Sequence, residues 1–129
     1  MNIVKSNFKE KLSFVLESIE TSDFIAFDTE FSGLHTDTAN KTVSFDEAEE
    51  RYQKLKHTVE VMNAFQIGIV TFKFDGEKYV ARPFNFYCFP SSDLLEEKTM
   101  SFKPKTVEFL RKNHFDFNKM FSEGVNYQR

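Results

Sequence analysis

The sequence predicts an α/β domain whose elements run in the order helix, strand, helix, strand, strand, followed by short helices. Three observations support this prediction. Residues 7–20 place apolar side chains at helical spacing, residues 24–31 (FIAFDTEF) begin as an apolar strand, and residues 65–89 contain two β-rich runs. An Asp-Gly step at positions 75 and 76 separates those runs, and this dipeptide is a strong signal for a tight β-hairpin.

The first helix is predicted at residues 7–20, where Asn7 and Glu10 have the spacing of a capping box. Its buried stripe follows the helical period and consists of Phe8, Leu12, Val15, Leu16 and Ile19. A polar triplet at 21–23 ends the helix, and the strand at 24–31 follows directly.

Residues 32–44 read as a polar loop, after which a second helix is predicted at about residues 46–62. Asp46 is predicted to be the N-cap of this helix, because a carboxylate at that position can accept from the free amides of the first turn. The side chains predicted to form its buried stripe are Tyr52, Leu55, Val59 and Met62.

The hairpin strands are predicted at 65–74 and 78–89, and short helices at 106–112 and 115–121. Between the hairpin and these helices lies a loop with an acidic cluster of Asp93, Glu96 and Glu97. Neither an internal repeat nor a linker-like change of composition interrupts the chain, which favours a single folded unit.

The composition limits the class of protein. The 129 residues are 40% hydrophobic and 29% charged, with 4 Gly and 3 Pro, which excludes collagen-like and wholly disordered chains. The 17 Phe residues and the lack of Trp indicate a Phe-packed core, with some Phe left on the surface. A net charge of −3 argues against a protein that binds nucleic acid by general attraction to phosphate.

The single cysteine and the hydropathy pattern indicate where the protein resides. Cys88 lies in an apolar run and has no disulfide partner in the chain, which predicts a buried thiol and a reducing, intracellular compartment. No apolar stretch approaches 18 residues, and the N-terminus lacks a signal-peptide pattern. A soluble protein that is not secreted is therefore expected.

Two acids stand at the end of the first strand. Residues two apart in a strand point to the same face, so Asp28 and Glu30 project together while Phe27, Thr29 and Phe31 face the other way. Neighbouring carboxylates repel each other unless a cation lies between them, and hard oxygen ligands suit Mg²⁺ or Mn²⁺. Spacing alone leaves two interpretations open: a metal site of the kind that cleaves phosphodiesters, or a solvated strand end.

The histidines give weaker signals. His57 lies among charges on the predicted second helix, His114 lies in a turn, and His35 is near enough in sequence to reach the acid pair. None of them has the pattern of a general base or a metal ligand. Zinc-protease, serine-hydrolase and P-loop motifs are not found in the sequence either, so these functions have no support.

An ordered set of sequence blocks resembles a known family. The blocks are residues 1–9 (MNIVKSNFK), 27–34 (FDTEFSGL), 49–56 (EERYQKLK), 65–74 (FQIGIVTFKF), 84–90 (FNFYCFP) and 115–119 (FDFNK). In this order, over nearly the whole chain, they resemble the N-terminal part of the PARN-type poly(A)-specific ribonucleases, which are deadenylases of the DEDD class of 3′ exonucleases. The resemblance favours the metal interpretation of the acid pair.

The resemblance implies a partial ribonuclease-H-like fold, in which the antiparallel strands lie at the N-terminal side of a mixed sheet. It implies hydrolysis of the 3′-terminal phosphodiester of mRNA poly(A) tails to 5′-AMP, with two divalent cations, Mg²⁺ or Mn²⁺. Asp28 and Glu30 match the first two metal ligands and catalytic acids. Phe31, Leu34 and Phe109 match residues expected to line the pocket for the terminal adenosine. The resemblance further implies that the protein binds poly(A) RNA and forms a homodimer. It implies a location in the nucleus and cytoplasm, with no membrane association.

Two departures from the family pattern qualify these expectations. Thr29 separates the acids where the family usually has Gly, but it points away from them. The family's two further aspartates and its general-base histidine come from later in its chain, so residues 1–129 are expected to be the N-terminal part of a nuclease domain and nearly inactive alone. Two alternatives stay open. One is a non-catalytic dimerisation or interaction fragment of the same enzyme, and the other is a PARN-like trimmer of small-RNA 3′ ends. The blocks EERYQKLK, FDFNK and SNFK favour the deadenylase over the trimmer.

Overall fold

The computed structural model describes residues 1–91 and 100–127 and confirms the α/β class. The elements are β1 (Asn2–Ile3), α1 (Phe8–Glu20), β2 (Phe24–Phe31), α2 (Ala48–Val61), β3 (Ala64–Phe74), β4 (Tyr79–Pro90), α3 (Pro104–Lys112), α4 (Phe117–Glu123) and β5 (Val125–Tyr127). Every predicted helix and strand is present, whereas β1 and β5 were not predicted. The acidic cluster of Asp93, Glu96 and Glu97 lies outside the described residues.

The strands form a mixed sheet in the order β1-β4-β3-β2, with β5 also paired to β4. β2, β3 and β4 are antiparallel neighbours, whereas β1 and β5 each run parallel to β4. The predicted hairpin turn is confirmed: Gly76 has a φ of 103°, a left-handed conformation that favours glycine. The carboxylate of Asp75 accepts from the amides of Glu77 and Lys78, at 3.0 and 2.9 Å.

Helix α1 packs on one face of the sheet. Val15 of α1 joins Ile3 and Phe84 in a buried cluster, and the rings of Phe14 and Phe84 meet edge-on with centroids 5.9 Å apart. In the sheet register Phe84 pairs with Ile69, which pairs with Phe27. This face of the sheet is therefore the one opposite to the acids of β2.

Helices α3 and α4 pack at the other face. Leu110 and Met120 are buried together with Phe65 and Tyr87, and Tyr87 pairs with Gln66, the register partner of Glu30. The sheet thus carries α1 on one side and α3 on the side of the acid pair, which brings α3 close to the end of β2.

The predicted buried stripe of α2 is wrong except at its end. Met62, just after the helix, is 4% exposed, but Tyr52, Leu55 and Val59 are 58%, 48% and 54% exposed. Helical periodicity identifies an apolar face, but it does not say whether another element covers that face. Within the described residues none packs fully over this part of α2. Val59 nevertheless has an interaction partner.

Of the two predicted helix caps, Asn7 is confirmed in its position but not in its capping bonds, and Asp46 is wrong. Asn7 is the N-cap of α1 without a side-chain cap bond; its Oδ1 accepts from the amide of Val4 at 2.9 Å instead. Helix α2 begins at Ala48 with Glu47 as N-cap. In both places the side chain bonds to another partner instead of the free amides of the first helical turn. Asn7 and Asp46 each accept from a backbone amide before the helix, and Asp46 also pairs with Lys54.

Asp46 ties the preceding loop to α2. Its Oδ1 accepts from the Lys54 ammonium at 2.6 Å and its Oδ2 from the amide of Val43 at 2.8 Å, and its side chain is 2% exposed. The hydrogen bond from Lys54 is the main cause that holds the pKa of the Asp46 carboxyl below its usual range. A depressed carboxyl pKa stabilises the fold above the ordinary pKa, and this contribution is lost as the pH falls through the folded-state value.

We therefore expect Asp46→Asn to lower the melting temperature at about pH 7 and to have a smaller effect at about pH 3, because the contribution of the carboxylate is lost as the pH falls towards and through its folded-state pKa. Thermal unfolding of both proteins at the two pH values measures this. The matched control is Glu60→Gln, an exposed carboxylate on α2, which should change neither melt. An equal loss at both pH values would show that shape, not charge, is what Asp46 contributes.

The excess of Phe is distributed as expected, with several Phe side chains on the surface. Phe65 and Phe84 are 0% and 2% exposed, whereas Phe27 and Phe45 are 76% and 95% exposed. Cys88 is buried, as predicted, and its burial raises the pKa of its thiol. No described helix has the length and apolar character needed to cross a membrane.

Candidate active site

The acid pair lies on one face of β2, as predicted. Asp28 pairs with Gly68 and Glu30 with Gln66 across the β2–β3 ladder, so both carboxylates project from the same side of the sheet. Gly68 carries no side chain, which leaves the space beside Asp28 open. The pKa of the Glu30 carboxyl is raised, mainly because the side chain is partly buried and secondly because the charge of Asp28 repels it. A cation between the two groups would relieve both effects.

A cavity of about 590 Å³ opens beside Glu30, within the size range of small-ligand sites. It is formed by the end of β2, the residues that follow it, and the first two turns of α3. Its lining residues are Thr29, Glu30, Phe31, Leu34, His35, Lys103, Pro104, Lys105, Thr106 and Phe109. The three residues expected to bind a base therefore line a single cavity together with one of the two acids.

The apolar part of the cavity is open to solvent. Leu34 is 73% exposed and Phe109 57% exposed, while Phe31 is half-buried. Large apolar side chains that remain this exposed around one concavity are typical of a ligand surface. Asp28 does not line the cavity, so the structure places the acid pair at its border rather than at its centre.

A β-bulge shapes the entrance of the cavity. The β2–β3 register shifts between Glu30 and Phe31, because Phe31 pairs with Ala64 and Phe65 is left as the extra residue. Bulges bend a strand and re-aim its side chains. The shift explains how Glu30 and Phe31, successive residues that would otherwise face opposite sides, both reach the cavity.

Ser32 fixes the chain immediately after the bulge. It is 0% exposed; its amide donates to the carbonyl of Asn63 at 2.8 Å, and its hydroxyl accepts from the amide of Asn63 at 3.0 Å. Its carbonyl accepts from the amide of Lys103 at 2.9 Å. One buried residue thus joins the end of β2, the α2–β3 connection and the start of α3, which are the parts that form the cavity.

Gly33 allows these parts to approach closely. A Cβ at this position would lie 2.7 Å from Cγ of Lys103 and 2.9 Å from Sδ of Met62, distances that real Cβ atoms do not tolerate. The absence of a side chain therefore brings the Lys103 wall of the cavity against the end of β2.

Six cavity residues were not assigned to the site from the sequence: Thr29, His35, Lys103, Pro104, Lys105 and Thr106. His35 follows the acid pair closely in sequence and lines the cavity. Thr29 also lines it, although strand alternation predicts that its side chain points away from the acids. The other four are the N-cap residue and the first three residues of α3, and the Lys-Pro-Lys run at the start of this helix was the signal that could have pointed to them. Their place depends on the packing of α3 against β2, which periodicity does not reveal.

The donor set fits the first part of a divalent metal site. Asp28 and Glu30 supply carboxylate oxygens on one face, the ligand type preferred by Mg²⁺ and Mn²⁺. Across residues 1–91 and 100–127, no group of three His, Cys, Asp or Glu side chains is placed to hold a metal ion. Two carboxylates alone make a weak site.

Comparison with known proteins decides the family. The model of the CAF1 family ribonucleases matches residues 3–129. The chain belongs to this family. Among the CAF1-family relatives, the poly(A)-specific ribonuclease PARN of Homo sapiens is 42% identical over 134 residues, and the pre-piRNA 3′-exonuclease trimmer of Bombyx mori is 37% identical over 129 residues. These alignments cover 98% of this chain but 21% and 24% of the relatives, so the chain spans between a fifth and a quarter of their length.

Solved CAF1-family structures confirm the ribonuclease-H-like α/β fold. A structure of S. pombe Pop2p in an Mg²⁺- and Mn²⁺-bound form superposes with a TM-score of 0.71 at 23% identity, covering 96% of this chain and 47% of that one. The RNase domain of the yeast Pop2 protein superposes with a TM-score of 0.65 at 19% identity, covering 96% and 42%. At these identities the likeness establishes the fold.

Proposed function

We propose that residues 1–129 form the N-terminal part of the nuclease domain of a 3′ exoribonuclease that shortens poly(A) and releases 5′-AMP. The observation that carries the proposal is the meeting of Glu30 with Phe31, Leu34 and Phe109 at one cavity. A carboxylate that favours a cation borders an apolar wall that favours a base, which is what cleavage next to a terminal nucleotide requires. Membership of the CAF1 ribonuclease family and the likeness to PARN support this choice of reaction.

Asp28 and Glu30 are the proposed ligands of the divalent cations. When bound, such cations neutralise the phosphate and make water a better nucleophile near neutral pH. The chain itself holds the two carboxylates side by side on β2, and the partial burial that raises the pKa of Glu30 is an environment that favours a cation as partner. The Mg²⁺- and Mn²⁺-bound form of Pop2p supports these ions as the cofactors.

The apolar wall positions the terminal adenosine. Adenine has a large apolar face, and stacking on an aromatic side chain contributes about 1–3 kcal/mol per base. Phe109 on α3 and Phe31 on β2 approach the cavity from two elements, so a base held between them would place its sugar and phosphate towards Glu30. Such a site binds RNA without a basic surface, which is consistent with the net charge of −3.

The proposal predicts that Phe109→Ala weakens the binding of a short oligoadenylate by about 1–3 kcal/mol, because one stacking surface is lost. Fluorescence anisotropy in Mg²⁺ measures the change for this chain. Since Phe109 is 57% exposed, its removal should leave the melting temperature nearly unchanged. The matched control is Phe45→Ala, which is more exposed and does not line the cavity.

Equal affinity of the wild type, the Phe109 variant and the Phe45 variant would contradict the assignment of the pocket. The same assay separates the two substrates that the relatives suggest. A strong preference for oligoadenylate over oligouridylate favours a deadenylase, whereas equal binding of both favours a trimmer of small-RNA 3′ ends, the activity named for the Bombyx mori relative.

A further inference from the structure

The cavity carries more positive than negative charge, although the chain as a whole is acidic. Lys103 and Lys105 line it, against the single carboxylate of Glu30. Neither lysine forms an ion pair with Glu30 in the described part of the chain. The lysine ammonium groups and the Glu30 carboxylate therefore line the same cavity without pairing with each other. A ligand with an anionic group can approach the lysines there.

The two lysines differ in what they contact. The ammonium of Lys103 donates to the carbonyl of Thr36, and the amide of Lys103 donates to Ser32, so this residue closes the structure around the cavity. Lys105 is exposed and pairs with no carboxylate in residues 1–91 and 100–127.

The nearest acid along α3 does not neutralise Lys105. Glu108, three residues on, is paired instead with Lys112 at 2.7 Å, and the first turn of α3 contains no acidic residue. A lysine at a cavity wall that has no carboxylate partner among the described residues is available for an external anion. The apolar wall formed by Phe31, Leu34 and Phe109 favours an anion that also carries a flat apolar group.

We propose that Lys105 binds a backbone phosphate of the RNA whose terminal adenosine occupies the cavity, which rests on the proposed function. A nucleotide chain combines a flat apolar group with singly charged phosphates, and the proposed function selects this class of ligand. The phosphate held by Lys105 is a non-scissile one, because Asp28 and Glu30 would hold the divalent cations and these would bind the scissile phosphate. Lys105 thereby positions the strand and supplies the salt-dependent part of its affinity.

Salt dependence of binding tests the role directly. Each phosphate contact to a single strand contributes about 0.7 to the slope of log affinity against log salt concentration. We expect Lys105→Ala to reduce this slope for oligoadenylate by about 0.7 and to weaken adenosine, which has no phosphate, much less. Lys105→Arg should retain the slope. Lys78→Ala, at the exposed hairpin turn, is the matched control and should retain it as well.

The outcomes separate this role from the proposed function. If Phe109→Ala weakens binding while Lys105→Ala leaves the slope unchanged, the pocket stands and the phosphate contact is refuted. If Lys105→Ala weakens adenosine and oligoadenylate equally, Lys105 has a structural role and the proposal is likewise refuted. A wild-type chain that binds no oligoadenylate at low salt overturns both the phosphate contact and the pocket.

Discussion

Phe65→Ala is expected to destabilise the fold by about 3–5 kcal/mol, the cost of removing a buried Phe side chain and leaving a cavity. Phe65 is 0% exposed and its ring lies 5.4 Å from that of Phe102 and 6.3 Å from that of Phe115. Because a small domain has only about 5–15 kcal/mol of stability, this single change removes a large part of it. Urea unfolding followed by circular dichroism measures the loss.

Phe65 also connects the core to the candidate site. It is the extra residue of the bulge beside Glu30 and Phe31, and it shares a buried cluster with Leu110 of α3. We therefore expect the variant to bind oligoadenylate more weakly even under conditions where it remains folded. Phe45→Ala, on a side chain that is 95% exposed, should change the free energy of unfolding by less than about 0.5 kcal/mol. A loss below about 1 kcal/mol for Phe65→Ala would mean that the bulge region is not part of the rigid core.

Asp28→Asn and Glu30→Gln are each expected to weaken the binding of Mn²⁺ by on the order of tenfold to a hundredfold. Each substitution keeps the size of the side chain and removes one of the two negative charges on that face of β2. Isothermal titration with Mn²⁺ measures the effect, starting from a weak site because only two carboxylates converge in the described residues. Glu60→Gln on α2 removes one negative charge elsewhere and should leave the affinity unchanged.

The sequence was sufficient to predict the elements whose signals are local. Helix α1 and strands β2, β3 and β4 have long periodic or apolar runs, and the Asp75-Gly76 turn has a sequence requirement of its own. β1 and β5 were missed because they are 2 and 3 residues long. Strands this short exist only through their pairing with β4, and pairing partners do not show in a local pattern.

The errors in α2 and the caps have a related cause. Burial of Tyr52, Leu55 and Val59 would require another element to cover them, and their spacing gives no information about that. Asp46 has the right residue type for a cap, but Lys54, two turns along the helix, offers it a closer charged partner at 2.6 Å. In each case a tertiary contact decides the outcome against a correct local preference.

At the candidate site the sequence identified the acids and three cavity residues, and left out the lysines. Asp28 and Glu30 follow from strand alternation, and Phe31, Leu34 and Phe109 from the resemblance of whole sequence blocks. Lys103 and Lys105 enter the cavity because Ser32 and Gly33 bring α3 against β2, a three-way contact of distant segments. The homodimer and the location in nucleus and cytoplasm stay predictions.

The acid pair of β2 is proposed to hold a divalent cation at the border of a pocket for adenosine. Mn²⁺ is paramagnetic and broadens the amide signals of residues close to it, so an ¹⁵N-correlated spectrum of the chain shows where the ion binds. We predict that broadening is centred on residues 27–34 and reaches Gly68, which pairs with Asp28. At the same Mn²⁺ concentration it should be much weaker in Asp28→Asn. AMP added next should shift the amides around Leu34 and Phe109. Broadening centred on other acids, such as Glu49 and Glu50, and retained in Asp28→Asn would show that the cation does not bind at the acid pair.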